Sequence, residues 1–361
     1  MGDRLIPQSL GLKAGEWVEV RSKAEVLATL DKNGRLEELP FMPQMMQYFS
    51  KKLRVHKRAH KLCDTAYGTG GRQISNAVIL DDLRCDGAAY GGCEMKCTII
   101  WKEAWLKRVG QGESRSLAVG HSEPDNVYAN TECAGCSEAD LLSGTRVSCE
   151  KADTAEPVYV CQATQLPHAT QPLSQWAVRQ YFEDYRSGNV RLTEILSALL
   201  ALFYHHVEGA GLGVGSAMRL AYDVFQRLRG GTPYPFRTGG LSKASRTPSV
   251  NLNLRVGELV RVKSYSEILK TVDADLKNRG MSFHAELTPY CGKTFRVSQR
   301  HRKIMNEKTG QLLVLKNECL VLDGVDCIGK YTNPLYCPRA CYPYWREIWL
   351  ERAHENTGGS A

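Results

Sequence analysis

Apolar and polar residues alternate at Trp17-Val18-Glu19-Val20 and again at Leu259-Val260-Arg261-Val262. A period of two predicts a half-buried strand at each place. Both strands lead into a short helical pattern. Ser22 with Glu25, and Ser264 with Glu267, have the Ser-x-x-Glu spacing of a capping box. A loop containing Pro40 and Pro43 follows in the first case, and one containing Pro289 in the second. Residues 52–58 and 294–300 predict a second strand, and residues 77–80 and 320–322 a third. Residues 101–106 and 345–350 close the two stretches.

These stretches are copies of one another. Residues 15–85 align with 257–327 without a gap, an offset of 242 (257 minus 15). After a two-residue insertion, Cys93, Cys97, Trp101, Glu103, Trp105 and Leu106 align with Cys337, Cys341, Trp345, Glu347, Trp349 and Leu350. The Gly-Glu-x-Val-x-Val opening, the short strands and the tight loops resemble a small SH3-like barrel. The opening is similar to the first strand of the KOW-type modules of translation and transcription proteins. The expected fold class is therefore α+β: two homologous SH3-like β-barrel units with cysteine clusters, flanking a central helical segment. The expected boundaries are 1–109, 110–250 and 251–361.

The central segment differs in character. Residues 110–122 are polar and rich in glycine and serine, which predicts a loop. Leu192, Ile195, Leu196, Leu199, Leu200 and Phe203 recur at helical spacing. Glycines from Gly209 to Gly215 break that helix, and residues 216–229 predict another. Residues 230–249 read as a linker. The glycine run before Ser216 resembles a phosphate-cradling loop. It lacks the Gly-Lys-Ser/Thr ending of a P-loop and a preceding apolar strand, so a dinucleotide role is not expected. His205 and His206 are adjacent and point apart on a helix, which suits a helix end better than a chelate.

The chain has 361 residues, 43% of them hydrophobic and 24% charged, the balance of an ordinary globular protein. A core of normal size is affordable without cysteine staples. No secretory signal pattern opens the chain, and residues 195–204 are too few to cross a bilayer. A cytoplasmic protein is expected, with no membrane partner. There are 13 cysteines. In a reducing compartment, clustered cysteines point to metal more than to disulfides, and an odd count does not pair completely.

The repeated triples are Cys85-x7-Cys93-x3-Cys97 and Cys327-x9-Cys337-x3-Cys341. Thiolate sites commonly take four ligands around zinc. The fourth ligand is left open: Cys63, His56 or His60 in the first copy; Cys319, Cys291 or His301 in the second. A three-cysteine site holding a [4Fe–4S] cluster with one labile iron is the other possibility. The central set Cys133-x2-Cys136-x12-Cys149-x11-Cys161 forms a further four-thiolate pattern. Against all of these stands the plainer reading of cysteines as small buried hydrophobes. The spacing does not separate an iron–sulfur cluster from zinc as the cofactor.

The densest positive run spans residues 51–61. Arg54, Arg58 and Lys61 recur as Arg296, Arg300 and Lys303. On a strand these would present a basic row to nucleic-acid phosphates, with the tryptophans stacking bases. The rival reading makes the tryptophans core and the charges a solvated strand edge. The net charge of +8 is compatible with either.

The phrases Leu83-Arg84-Cys85-Asp86-Gly87, Gly91-Gly92-Cys93, Trp101-Lys102-Glu103-Ala104-Trp105-Leu106 and Tyr159-Val160-Cys161-Gln162-Ala163-Thr164 resemble an uncharacterised bacterial cysteine-rich family. The resemblance covers most of the chain and implies no activity. The expected function is a cytosolic cysteine-ligated metalloprotein, iron–sulfur or zinc, with a small-molecule or protein partner; whether it is an enzyme of a biosynthetic pathway is left open by the sequence. The alternative is a zinc-stabilised nucleic-acid-binding module or protein-interaction scaffold.

Overall fold

The protein is described from a computed structural model covering residues 9–109, 136–147, 156–209 and 215–353. It is an α+β protein. Contacts divide the chain into two units. The first is 1–192 with 303–313 and 337–339; the second is 193–302 with 314–336 and 340–361. Residues 110–192 thus fall in the first unit and 193–250 in the second. The loop predicted at 110–122 lies outside the described residues.

In the first unit, β1 (Trp17–Val20), β2 (Lys52–Arg58), β3 (Ala77–Arg84), β4 (Thr98–Lys102) and β5 (Leu106–Arg108) form one antiparallel sheet in the order β4-β3-β2-β1-β5. Val18 faces the core at 0% exposure, whereas Trp17 stands 58% exposed, as alternation requires. Helix α1 (Lys23–Thr29) starts at the Ser22–Glu25 capping box. Trp101 and Trp105 are fully buried and meet Phe41 edge-on, at 6.1 and 5.1 Å between ring centres. They are core residues and do not stack bases. Glu103 ties down the segment before β1. Its carboxylate accepts the backbone N–H groups of Leu10, Gly11 and Leu12 at 2.7, 3.0 and 3.0 Å.

A second sheet, most of whose residues belong to the second unit, has β6 (Leu259–Val262), β7 (Thr294–Met305), β8 (Leu312–Leu322) and β9 (Leu350–Arg352) in the order β8-β7-β6-β9. β1 pairs with β2 through Trp17 opposite Arg54, and β6 with β7 through Leu259 opposite Arg296. Glu347 accepts from Leu252, Asn253 and Leu254 just as Glu103 accepts from its three amides. Trp105 donates to Thr29 Oγ1 at 3.2 Å, and Trp349 to Thr271 Oγ1 at the same distance. Trp345 and Trp349 are fully buried.

The two central helices form close to where periodicity places them, at Leu192–Gly209 and Gly215–Leu228. Their apolar positions are less buried than the spacing suggests. Ile195 is covered, but Leu196, Leu200 and Phe203 are about two-thirds exposed, and the second helix has no buried residue. The expected linker 230–249 is packed in part: Tyr234 is 1% exposed, and Leu241 bridges Asp273. No helix among the described residues is long and apolar enough to cross a membrane.

Candidate metal centre

In the first unit, four cysteines from separate elements line one small cavity of about 30 Å³: Cys85, Cys93, Cys97 and Cys161. Cys85 follows β3 and Cys97 precedes β4. The Cys85 N–H donates to the Cys97 carbonyl at 2.8 Å, so the β3–β4 hairpin fixes both. Cys93 comes from the intervening glycine loop. Gly87 sits at φ +75° and accepts the N–H groups of Tyr90 and Gly92 through its carbonyl. Cys161 caps the start of helix Gln162–Ala169. The neighbouring Gln162 holds that helix to β4. Its amide accepts from Ile100 N–H and donates to Ile100 O, both at 2.8 Å, and donates to Pro40 O at 3.0 Å.

The remaining wall is apolar or soft: Met42, Met95, Met305, Tyr90, Ile100 and Leu166. Thiols and thioethers together suit a thiophilic metal or an iron–sulfur cluster. Gln44 Nε2 lies 3.2 Å from Cys85 Sγ and donates to it. Burial pushes the Cys85 thiol up to about 12, with the nearby Cys161 and Cys93 adding to the shift. Burial likewise raises Cys93 and Cys161. Ionising these thiols in place is therefore costly without a cation to compensate. Among the described residues, no group of three or more His, Cys, Asp or Glu is arranged to hold a metal ion.

A β-carbon at Gly87 would lie 1.8 Å from the Cys93 carbonyl oxygen. Gly87→Ala must therefore displace the Cys93 loop as well as hold alanine at positive φ. The expected cost is about 1–3 kcal/mol. Denaturant titration checks it.

The other predicted cysteines are placed differently. Cys63 and Cys337 meet in the first unit, where the Cys63 N–H donates to Cys337 Sγ at 3.1 Å. Cys327 and Cys341 lie in the second unit, joined by a Cys327 N–H to Cys341 O bond of 2.9 Å. Cys319 is 2% exposed in β8, and burial pushes its thiol to about 11. Cys136 is buried beside Ser137 and is not part of the cavity wall. Cys133 and Cys149 lie outside the described residues. The central quartet is thus divided, and its last member joins the first repeated triple. His60, a candidate fourth ligand, contacts Asp184 at 3.3 Å and Gln180 O at 3.2 Å instead.

The basic row is not a uniform surface. Lys61 is fully buried and paired with Asp184, so it cannot meet a phosphate backbone. Arg58 bridges Glu103 at 3.3 Å and Glu183 at 3.1 Å. Arg300 is held by Glu318 at 2.6 Å. Arg54 and Arg296 are exposed, each donating to a glycine carbonyl, Gly15 and Gly257 respectively. Lys303 is exposed, and its backbone N–H donates to Glu94 at 2.8 Å. No family model, curated protein or solved structure matches the chain.

Proposed function

We propose that the protein is a cysteine-ligated metalloprotein of the reducing cytosol, with Cys85, Cys93, Cys97 and Cys161 as ligands to zinc or to an iron–sulfur cluster. The observation that carries this reading is that four thiols, three from the β3–β4 connection and Cys161 from far along the chain, line one soft-walled cavity. A cavity of about 30 Å³ has room for a single ion; a four-iron cluster requires the walls to part. We also propose that both sheets descend from one SH3-like module. The shared capping boxes, the paired Trp–Thr bonds and the two amide-clamping glutamates support that reading.

The test is anaerobic purification followed by analysis of iron, zinc and sulfide and a visible spectrum. Iron with sulfide and broad visible absorption means a cluster; zinc without colour means a thiolate zinc site. Cys161→Ser is expected to lose most of the metal, while Cys136→Ser keeps it. Metal-free wild-type protein that stays empty after reconstitution overturns the proposal, as does a fully loaded Cys161→Ser variant.

A further inference from the structure

The second unit contains a cleft of about 400 Å³ that the cysteines do not line, between the 249–253 segment, the turn at Asn278–Arg279 and strands β7 and β8. Five cations face it, Arg279, Arg300, Arg302, Lys316 and Arg346, against two carboxylates, Glu318 and Glu347. Both carboxylates are already engaged. Glu318 takes Arg300 at 2.6 Å and also Arg302. Glu347 takes the 252–254 amides and Arg300. Among the described residues, no acid pairs with Arg279, Lys316 or Arg346.

The aligned positions of the first unit make the imbalance specific. Arg279 aligns with Glu37, and Arg346 with Lys102. In the first unit Lys102 pairs with Glu37 at 2.5 Å and donates to Ser75 O at 3.0 Å. In the second, Arg346 still donates to the aligned carbonyl, Asn317 O, at 3.1 Å. The acid, however, has become Arg279. Both positions keep the same left-handed backbone, φ 50° at Glu37 and φ 46° at Arg279. Arg346 also donates to the Arg279 carbonyl at 3.3 Å, so the two residues adjoin. Each has a buried Nε–H without a partner.

Neighbouring guanidiniums with unmet donors call for an anion, and their planar forks fit phosphoryl oxygens two at a time. Asn251, Asn253 and Ser249 supply amide and hydroxyl groups along the same wall, and no aromatic ring faces the cleft among the described residues. The volume is that of a small-molecule pocket. We propose that this cleft binds a phosphorylated sugar or polyol, with the phosphoryl group on Arg279 and Arg346 and the hydroxyls on the asparagines.

Isothermal titration with glucose 6-phosphate tests this on the full chain. Saturable binding, displaced by inorganic phosphate and absent for glucose, is expected at about millimolar affinity or tighter. Arg279→Glu restores the acid–base pairing of the first unit, so it should fold, and it should weaken binding by about tenfold or more. Arg346→Gln should do the same, and near-ultraviolet circular dichroism verifies the fold of both. No saturable binding, wild-type affinity in both variants, or binding of a single-stranded oligonucleotide alone would overturn the proposal. Metal content does not enter the measurement, so the outcome is independent of the cysteine site.

Discussion

Glu103→Ala is expected to destabilise the first unit by about 3–5 kcal/mol. The side chain is 1% exposed and holds three consecutive backbone N–H groups, the Ser9 hydroxyl at 3.0 Å and Arg58. Alanine leaves those donors without an acceptor, and at Leu12 the surroundings are fully buried. Each unmet buried donor costs about 1–3 kcal/mol. Water reaching the more open Leu10 and Gly11 keeps the total below the simple sum. Arg58 retains Glu183 and loses half of its compensation. Chemical denaturation followed by tryptophan fluorescence reads the effect through Trp101 and Trp105. Glu103→Gln preserves the shape and one acceptor oxygen, so it should cost less than alanine. A loss below about 1 kcal/mol for Glu103→Ala would show that the clamp is not what secures this segment. Glu347→Ala makes the matching test in the second unit, where the amide donors are Leu252, Asn253 and Leu254.

That clamp is hidden in the sequence, because its three amides lie 93, 92 and 91 positions from Glu103. Local signals survive folding because their partners are nearby in the chain. The two Ser-x-x-Glu boxes form, with Ser22 and Ser264 accepting from residues three positions on. The alternating strands bury Val18, Val20, Val260 and Val262. What sequence alone leaves hidden depends on long-range partners. Cys161 joins Cys85, Cys93 and Cys97 because the adjacent Gln162 bonds both polar groups of Ile100, 62 positions away. Cysteine spacing suggests instead a local set with Cys136. Lys61 stands in a run of lysines and arginines that reads as surface, yet its acid is 123 positions away. The central helices show the converse. Their period is legible, but amphipathicity names an apolar face and not what covers it.

Lys61→Met is expected to cost about 3–5 kcal/mol at pH 8, because it leaves Asp184 buried without its cation. Both side chains are fully buried, and Lys61 also stands 5.2 Å from the Tyr181 ring centre. Burial lifts the Asp184 carboxyl to about 6 even with Lys61 and its hydrogen bonds pulling down. Burial likewise lowers the Lys61 ammonium from its ordinary value, against the pull of Asp184. Without Lys61 the carboxyl must rise further. A group whose folded pKa is raised contributes most to stability when protonated, and loses that contribution as pH rises through the folded value. The deficit of Lys61→Met should therefore grow from about pH 6 upward and shrink below it, where Asp184 is neutral in both proteins. His60 acts in the opposite sense: burial first, then the charges of Lys61 and Arg58, hold it down to about 4. Its contribution is complete above its ordinary 6.5 and is lost as pH falls toward 4. Because His60 is present in both proteins, most of its effect cancels in the difference, leaving only the part Lys61 adds to its shift. The double variant Lys61→Met/Asp184→Leu removes the charge and its orphan together, so it should recover most of the loss. If the double variant is as unstable as the single one, the loss comes from packing; recovery assigns it to the stranded carboxylate.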